Sequence, residues 1–470
     1  MKGSKEMRKE KIDPRVVGAV LATGLMSLSG VIVETAMNIT FPTLMKQFHV
    51  TTGTVQWMTT LYLLIVACIV PISSYLKRRF KLKQLFVVAN LLFIVGLLTD
   101  ACATTFPLLL LGRAIQGVGT GIALPLMFNI ILEQVPLSRI GMMTGVGTLI
   151  TAVGPAIGPT YGGLLVTHLN WRYIFWILLP FLIVSFFVGL KTIKQVSETA
   201  PERFDFLSML GVVVTFSGLI FGFSSLSTQS FLSWSVGGSL LVGILGLVFF
   251  VQRSRHSVHP LIQLAAVTNP AFAWHLLAFF MLQITALGLS FVLPNYLQLV
   301  DQQSAFTAGL VVLPGALIGA AFSPIGGHIL DRFGAKRPIL LGLGLVVVTL
   351  LLMAVFARQL NLWAILGIYV GYMIGIGSAF GNIMTDGLKQ LSTDLKADGN
   401  ALMNAMQQFA GAMGTAICAA IIAASQAGTV GSTASKTAAG SQWALLFLVI
   451  VAVVSWLGMA VAFRLNRIKS

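Results

Sequence analysis

The sequence Gly145-Val-Gly-Thr-Leu-Ile-Thr-Ala-Val-Gly-Pro-Ala-Ile-Gly-Pro-Thr-Tyr-Gly-Gly163 lies within an apolar segment long enough to cross a membrane. Its two prolines remove helix hydrogen bonds, and its six glycines weaken a helix in water. In a bilayer such a helix persists when neighbouring helices pack closely against it. The stretch therefore predicts a membrane helix in close backbone contact with its neighbours.

The composition of the 470-residue chain also indicates a membrane protein. It is 56% hydrophobic and 9% charged, whereas soluble domains carry about 25% charged residues. The net charge of +16 would suggest nucleic acid as a partner of a soluble protein, but an excess of basic residues on the inner side of a membrane explains it better. The three cysteines lie far apart in apolar segments, which is typical of packed core residues and not of a disulfide framework.

The apolar segments are numerous enough for a polytopic membrane protein. The first could mimic a signal peptide, but it is longer than the roughly 7–15 residues of a signal-peptide core, so we interpret it as a spanning helix. We predict fourteen spans, α1 to α14, near residues 16–41, 53–75, 84–104, 107–132, 140–166, 172–190, 206–227, 234–252, 271–299, 306–330, 338–357, 361–386, 400–426 and 441–464.

The charges of the loops support this count. With the N-terminus inside, the inner segments hold 25 of the 30 Lys and Arg residues and the outer loops hold four. This asymmetry predicts that both termini are cytoplasmic, because positive loops stay on the inner side. An odd number of helices would place one basic terminal cluster outside. We therefore expect a multi-pass protein of a cytoplasmic membrane.

An internal repeat divides the chain. Residues Pro71–Phe80 match Pro324–Phe333 at a constant offset of 253 residues, so α2 corresponds to α10. A step of eight helices indicates two six-helix halves separated by two inserted helices. The prediction is an all-α fold of 6+2+6 helices, with a first half at 1–190, a linker with two helices at 191–260 and a second half at 261–470. Parallel halves are typical of transporters whose substrate path lies between them.

Charged side chains inside a membrane are functional candidates, because they are costly to bury. Glu34 on α1 and Arg113 on α4 are both predicted to lie roughly 10 Å below the outer boundary. Asn38 and Gln116 share their helix faces, which predicts a polar track through the first half. Burial favours a neutral carboxyl and a nearby guanidinium favours a charged one, so Glu34 is suited to exchanging a proton. The alternative is a static ion pair that only orients two helices.

The second half offers weaker candidates. Polar side chains on α9 and α12 could line a substrate path, although each alone is also typical of a helix–helix hydrogen bond. Asp386, at the inner end of α12, is either an ordinary interfacial residue or part of an inner gate. The path candidates are Asn295, Gln298, Tyr369, Tyr372 and Asn382.

Several function classes lack support in the sequence. We find no metal-ligand cluster, no catalytic triad and no nucleotide-binding domain. An enzyme would need a paired catalytic constellation in the membrane, and a sensor scaffold would need a sizeable soluble domain. The expected protein is therefore not an enzyme, needs no cofactor or metal beyond a coupling proton, and does not bind nucleic acid.

With these residues in place, the chain resembles the major facilitator superfamily, and within it the fourteen-helix drug:proton antiporter branch. The opening stretch is similar to that branch's antiporter motif on the fifth helix. Arg113 and Gln116 resemble the motif on the fourth helix, whose arginine is thought to serve proton transfer. The antiporter-motif positions are Gly145, Gly154, Pro155, Gly158, Pro159, Gly162 and Gly163.

The loop after α10 also resembles a superfamily motif, one that gates the inner side. Gly327, Asp331 and Arg332 carry that likeness, and we group Asp386 with them as a candidate inner gate. The equivalent loop of the first half departs from the pattern, since Arg78 stands where the family usually has Asp. A gating role for the first loop is therefore left open.

A second departure lies on α1. The family's usual acid position is occupied by Val33, and the acid stands one residue later, at Glu34. One step rotates a side chain about 100° around a helix. Glu34 either performs the same role from a shifted face or faces α4 more directly.

The resemblance implies a secondary exporter of a bacterial cytoplasmic membrane that exchanges inward protons for outward amphipathic compounds. It implies a cavity lined by α1, α4, α9 and α12, with α5 packed against its counterpart α13. Because Glu34 is the only predicted deep carboxylate, we expect small lipophilic substrates that are neutral or monocationic. The alternative is a dedicated exporter of one metabolite, lipid or peptide. We expect a monomer in the lipid bilayer.

Overall fold

The computed structural model describes residues 12–50, 52–199, 204–225, 229, 233–257, 260–303, 305–426 and 432–468. This part of the chain is helical, with fourteen helices long and apolar enough to span a membrane. The spans are α1 Pro14–Ile39, α2 Thr52–Ile69 continued by Ser73–Arg79, α3 Leu82–Ala101, α4 Phe106–Gln134, α5 Ile140–His168, α6 Tyr173–Thr192, α7 Phe206–Ser225, α8 Ser239–His256, α9 Pro270–Leu299, α10 Ala305–Phe333, α11 Lys336–Val355, α12 Leu362–Lys389, α13 Lys396–Gln426 and α14 Thr433–Ile468.

Short polar residues set the starts of several spans. The side chain of Thr105 accepts a hydrogen bond from the backbone N–H of Leu108 at the start of α4. The side chain of Asn361 accepts one from the backbone N–H of Ala364 at the start of α12. Asp13 caps α1, whose first residue is Pro14. Such caps satisfy backbone N–H groups that a helix start leaves free. Most predicted boundaries hold to within a few residues because these signals are local, whereas α14 begins at Thr433 and not near residue 441 as predicted.

The helices pack as two groups with an added pair. In the first six, α1 packs on α4, α5 and α6, while α3 packs on α4 and α6. In the last six, α9 packs on α12, α13 and α14, and α11 on α12 and α14. The inserted helices α7 and α8 pack together, and rings of Phe216 and Phe223 on α7 contact Phe409 of α13. Because fourteen spans alternate in direction, both chain ends lie on one face, which we call the terminal face. The opposite face is the distal face.

Helix α5 packs differently from the prediction. It lies mainly against α10 of the second half and α1 of the first, so the expected packing of α5 against α13 is wrong. The contact that α13 makes with the first half is instead with α2 and α4. The likeness of α5 and α13 as repeat counterparts misled the prediction, because helices equivalent by a repeat need not touch each other.

Candidate functional site

A polar cluster lies in the distal part of the first half, around Arg113. Its side chain is fully buried between α2, α3 and α4. Nη1 donates to Oε1 of Gln116 at 2.7 Å, and Nε donates to the carbonyl of Met58 at 3.3 Å. The guanidinium carbon lies 4.1 Å from the centre of the Tyr62 ring. Such cation–π contact is strengthened where water is excluded, so Arg113 is firmly held.

Gln116 connects Arg113 to a carboxyl group that sequence reasoning missed. Its Nε2 donates to Oδ2 of Asp100 at 2.7 Å, and Asp100 is fully buried near the distal end of α3. Asp100 lies one residue before the end of α3, where sequence alone favours an exposed residue. A signal was present, since Gly96 and Gly112 lie four residues before Asp100 and Gln116. Those glycines bring α3 and α4 close: a Cβ on Gly112 would lie 2.7 Å from Cγ of Asp100.

Glu34 approaches the same cluster from α1. It is half-buried and shares a helix face with Gly30, one turn earlier. The hydroxyl of Tyr62 donates to the carbonyl of Gly30 at 3.2 Å, so this face is turned towards α2 and α4. Val33, at the family's usual acid position, is instead fully buried in the apolar core. Glu34 interacts electrostatically with Arg113 and Tyr62, although no ion pair joins Glu34 to Arg113 in the described part of the chain.

The distal polar cluster, which we define as Glu34, Tyr62, Asp100, Arg113 and Gln116, has more acid than base. Two carboxyl groups share one guanidinium, so electrical neutrality requires one bound proton. Within the described residues, Oδ1 of Asp100 and Nη2 of Arg113 lack a hydrogen-bond partner. Buried polar atoms without partners are costly. The cluster is therefore incompletely satisfied, and it can rearrange when a proton binds.

On the terminal face, the last turns of α10 hold the second half to the start of α5. The carboxylate of Asp331 accepts hydrogen bonds from the backbone N–H groups of Gly141 at 3.0 Å and Met142 at 2.9 Å. These are free donors of a helix start, where a negative charge is favoured. Gly327 lies against the backbone of Gly141, and Arg332 is exposed beside the ring of Phe333.

The equivalent end of α2 in the first half makes a matching contact with opposite charge. Nη1 of Arg78 lies 3.0 Å from Oδ1 of Asp398, which is fully buried in the first turn of α13. Nη2 of Arg78 donates to the carbonyl of Pro260 at 3.0 Å, and the N–H of Gln263 donates to Asp398 at 3.1 Å. The end of α2 therefore joins the two halves although it lacks the usual aspartate, because the acid lies on α13 and the base on α2.

The major facilitator superfamily model matches residues 23–415. The chain belongs to the major facilitator superfamily. This is a family of transporters, and the relatives of the chain include proteins named for drug resistance.

Among those relatives, lincomycin resistance protein LmrB of Bacillus subtilis (strain 168) is 37% identical, with 99% of this chain and 98% of that protein aligned. The LmrB of Listeria monocytogenes serovar 1/2a is 36% identical over 87% of this chain and 86% of that protein. The multidrug resistance protein B homolog of Mycobacterium tuberculosis (strain ATCC 25618 / H37Rv) is 28% identical over 85% of this chain and 76% of that protein.

Solved structures confirm the major facilitator fold. The human organic anion transporter MFSD10 superposes with a TM-score of 0.66 at 13% identity, covering 94% of this chain and all of that one. The proton:xylose symporter XylE superposes with a TM-score of 0.67 at 14% identity, covering 95% of each chain. Such low identities show the fold alone.

In this transporter, the second-half counterpart of the distal cluster is aromatic. Counted from the caps Thr105 and Asn361, Tyr369 stands at the position of Arg113 and Tyr372 at that of Gln116. Both tyrosines are buried with stacked rings 6.0 Å apart, and the hydroxyls of Tyr372 and Thr285 lie 2.9 Å apart. The two tyrosines join α12 to α9 and α10 without any charge.

The other predicted path residues are dispersed. Asn382 is buried and its Nδ2 donates to the carbonyl of Ser378 at 2.8 Å, while Asn295 donates likewise to Phe291 at 2.8 Å. Gln298 is half-buried near the distal end of α9. The side chain of Asn38 lies outside the described residues. The structure thus brings Gln116 to Arg113 and Tyr369 to Tyr372, and leaves Asn295, Gln298 and Asn382 separate from them.

The antiporter-motif glycines of α5 face two different helices. A Cβ on Gly145 would lie 2.8 Å from Cα of Pro324 on α10, at the contact between the halves. Cβ atoms on Gly154 and Gly162 would lie 2.7 Å from Val31 and 2.9 Å from Cα of Ala36, both on α1. Gly158 faces Thr35 of α1, Gly163 is half-buried, Pro155 is exposed, and the side chain of Pro159 lies outside the described residues. The predicted close backbone packing is therefore present, and most of it is directed at α1, the helix that carries Glu34.

Proposed function

We propose that this transporter is a proton-coupled exporter of neutral or monocationic amphipathic compounds from the bacterial cytoplasm. In this proposal it is a monomer of the cytoplasmic membrane with both termini in the cytoplasm, so the terminal face is the inner face. The observation that carries the proposal is the charge of the distal polar cluster, where two carboxyl groups share one guanidinium. Such a cluster holds one proton when neutral and releases it when Glu34 ionises.

Glu34 is the proton-exchanging residue of this mechanism. It is half-buried, whereas Asp100 is fully buried, so Glu34 is the more accessible of the two carboxyl groups. With Glu34 protonated, the charge of Arg113 is balanced by Asp100 through Gln116. With Glu34 ionised, the two carboxylates compete for the guanidinium, and the contacts among α1, α3 and α4 change. Each proton that moves inward contributes about 2.3 kcal/mol per 100 mV of membrane potential.

The terminal-face contacts supply the alternating access. Two contacts hold the two halves together on that face: the hydrogen bonds from the start of α5 to Asp331 of α10, and the ion pair between Arg78 and Asp398. We interpret the described arrangement as one in which the inner side is closed. Opening that side requires both contacts to break, and the binding energy of substrate or proton must offset their loss.

The substrate class follows from the uncharged surroundings of Tyr369 and Tyr372 in the second half. Among the described residues, this region offers aromatic rings and hydroxyl groups, and no carboxylate contacts the two tyrosines. Aromatic faces accept lipophilic compounds and single cations, whereas a dication would lack a second counter-charge there. Two of the similar proteins are named for resistance to lincomycin, so lincomycin is the first compound to test.

The test is substrate transport in sealed vesicles, with and without an imposed proton gradient, using lincomycin and a panel of neutral, monocationic and dicationic compounds. We expect gradient-driven export of neutral and monocationic members, with Glu34→Gln abolishing the gradient's effect while substrate still binds. The exposed acid variant Glu198→Gln is the matched control and should transport normally. Full gradient-driven transport by Glu34→Gln would contradict proton coupling and favour a static role for Glu34. Efficient transport of dications alone would contradict the substrate class.

A further inference from the structure

A buried histidine–aspartate pair lies in the second half, remote from the distal polar cluster. His275 is the sixth residue of α9 and is fully buried, close to the terminal face. Its Nε2 lies 2.9 Å from Oδ2 of Asp386 on α12, and its Nδ1 lies 2.7 Å from the carbonyl oxygen of Ala271. The ring also packs edge-on against Phe463 of α14. Both ring nitrogens are therefore engaged.

The hydrogen-bond partners determine how many protons the pair holds. A backbone carbonyl only accepts, so Nδ1 of His275 must carry a hydrogen. An ionised Asp386 also only accepts, so Nε2 must carry a second hydrogen, or else Asp386 itself is protonated and donates. If His275 were neutral and Asp386 ionised, the ring nitrogen without a hydrogen would point its lone pair at an oxygen lone pair, either that of Ala271 or that of Asp386. The pair therefore needs one additional proton, either on His275 or on Asp386, to form both hydrogen bonds.

We propose that His275 and Asp386 form a proton-binding site at the terminal face of the second half. The bound proton joins α9 to α12, since the contact between them becomes repulsive when the proton leaves. Asp386 can then turn towards solvent, because its side chain is 15% exposed and lies one turn before the end of α12. The site binds a proton whether or not transport is coupled through Glu34, so the inference does not depend on the proposed antiport.

The helices around the pair carry several other charged or titratable groups near the terminal face. Helix α9 packs on α10, α12, α13 and α14. Of their groups near that face, Asp331 accepts from α5 and Asp398 is paired with Arg78. Lys396 is half-buried, and the exposed groups are His328, Arg332, Lys389 and Arg464. No second ion pair of His275 or Asp386 is present in the described part of the chain.

The position of the pair links its proton to the contact between the two halves. Thr385 and Leu388, beside Asp386 on α12, border a narrow void with Phe128 of α4 and Thr144 of α5. The end of α12 that carries Asp386 thus closes the terminal face against the first half. Loss of the proton frees this end, so raising the pH should favour opening of the terminal face.

The experiment measures the opening of that face directly. Spin labels at two exposed terminal-face positions, 137 in the first half and 394 in the second, report the distance between the halves in purified protein. We expect the unaltered pair to give a longer distance as pH rises, and His275→Gln and Asp386→Asn to remove that change. Gln and Asn can still hydrogen-bond but do not titrate. The exposed histidine variant His256→Gln should keep the change.

Each outcome decides the proposal. The proposal is overturned if the distance between the labels does not change with pH while the pair is intact. It is also overturned if both variants keep the full change of distance with pH, or if Glu34→Gln alone removes that change. If the variants fail to fold, ¹⁵N NMR of the histidines in the unaltered chain still tests it. We expect His275 to carry two ring hydrogens, or Asp386 to be protonated. A singly protonated His275 beside an ionised Asp386 overturns the proposal. Failure of gradient-driven export in vesicles would leave these results unaffected.

Discussion

Arg113 and Tyr369 occupy matching positions in the two halves, each eight residues beyond the cap of its helix. In the first half the position carries a buried charge, with Asp100 and Glu34 competing for it. In the second half the position carries a ring stacked on another ring. The repeat preserves the packing of the helices, while the chemistry differs. In the proposed mechanism, the proton site and the aromatic surface therefore lie in separate halves.

The largest expected effect comes from removing the guanidinium of Arg113 from the distal polar cluster. Arg113→Ala leaves two carboxyl groups without a nearby cation, so gradient-driven transport should fall on the order of 100-fold, the scale expected when a buried charge loses its counter-charge. Arg113→Lys keeps the charge but loses the planar fork that reaches both Gln116 and Met58, so partial activity is expected. Initial rates in energised vesicles measure both. Near-normal transport by Arg113→Ala would contradict the proposal that the charged cluster of the first half couples transport to protons.

The two halves also differ at the terminal face, where α10 contributes the acid Asp331 and the equivalent end of α2 contributes the base Arg78. Arg78→Asp places two acids together, at a cost of about 2 kcal/mol or about 30-fold in transport, since Arg78 is partly exposed. Arg78→Asp combined with Asp398→Arg restores the pair with the family's usual charge on the loop and should recover most of the activity. Transport rates and thermal unfolding of the single and double variants measure this. A double variant no better than either single variant would contradict an inter-half role for the contact.

Asp100 is expected to matter less than Arg113. Asp100→Asn keeps an oxygen that can accept from Gln116 but removes the charge, so transport should fall about tenfold, the scale of losing a charged hydrogen-bond partner. Because one of the two acids is then absent, the transport rate should also depend differently on pH. A pH profile of transport by Asp100→Asn that matches the unaltered protein would remove Asp100 from the proton chemistry.

The smallest effect is expected in the aromatic half. Tyr372→Phe loses the hydrogen bond to Thr285, worth about 1 kcal/mol, so apparent substrate affinity should weaken by at most about fivefold. The number of protons moved per substrate should not change. Substrate titrations with Tyr372→Phe, beside the exposed control Tyr173→Phe, measure both quantities. A changed proton ratio in Tyr372→Phe would break the division between the two halves.

The number of helices, their order and most of their ends could be predicted from the sequence, because they depend on local apolar length and on caps such as Thr105. The contact between Arg113 and Gln116 could be predicted too, since it follows from helix spacing. What could not be predicted is which helices meet. The neighbour of α5 is set by packing across the whole bundle, so its assignment to α13 was wrong.

Two acids were misjudged for a related reason. Asp100 and Asp398 lie near helix ends, where sequence alone favours an exposed residue, and yet both are fully buried. Each is covered by residues distant in sequence: Gln116 and Gly112 cover Asp100, and Arg78 covers Asp398. Depth along a helix can be counted from sequence, whereas the cover supplied by another helix cannot.

The central claim is that Glu34 carries the proton that drives transport. The most direct measurement uses everted vesicles with an acidic interior and a pH-sensitive dye, in which substrate is added from the terminal-face side. With Glu34 intact, we predict that substrate entry releases protons from the interior, at least one per substrate molecule. With Glu34→Gln, we predict no substrate-dependent proton release. Equal proton release by both proteins, or none by either while substrate still enters, would contradict the claim.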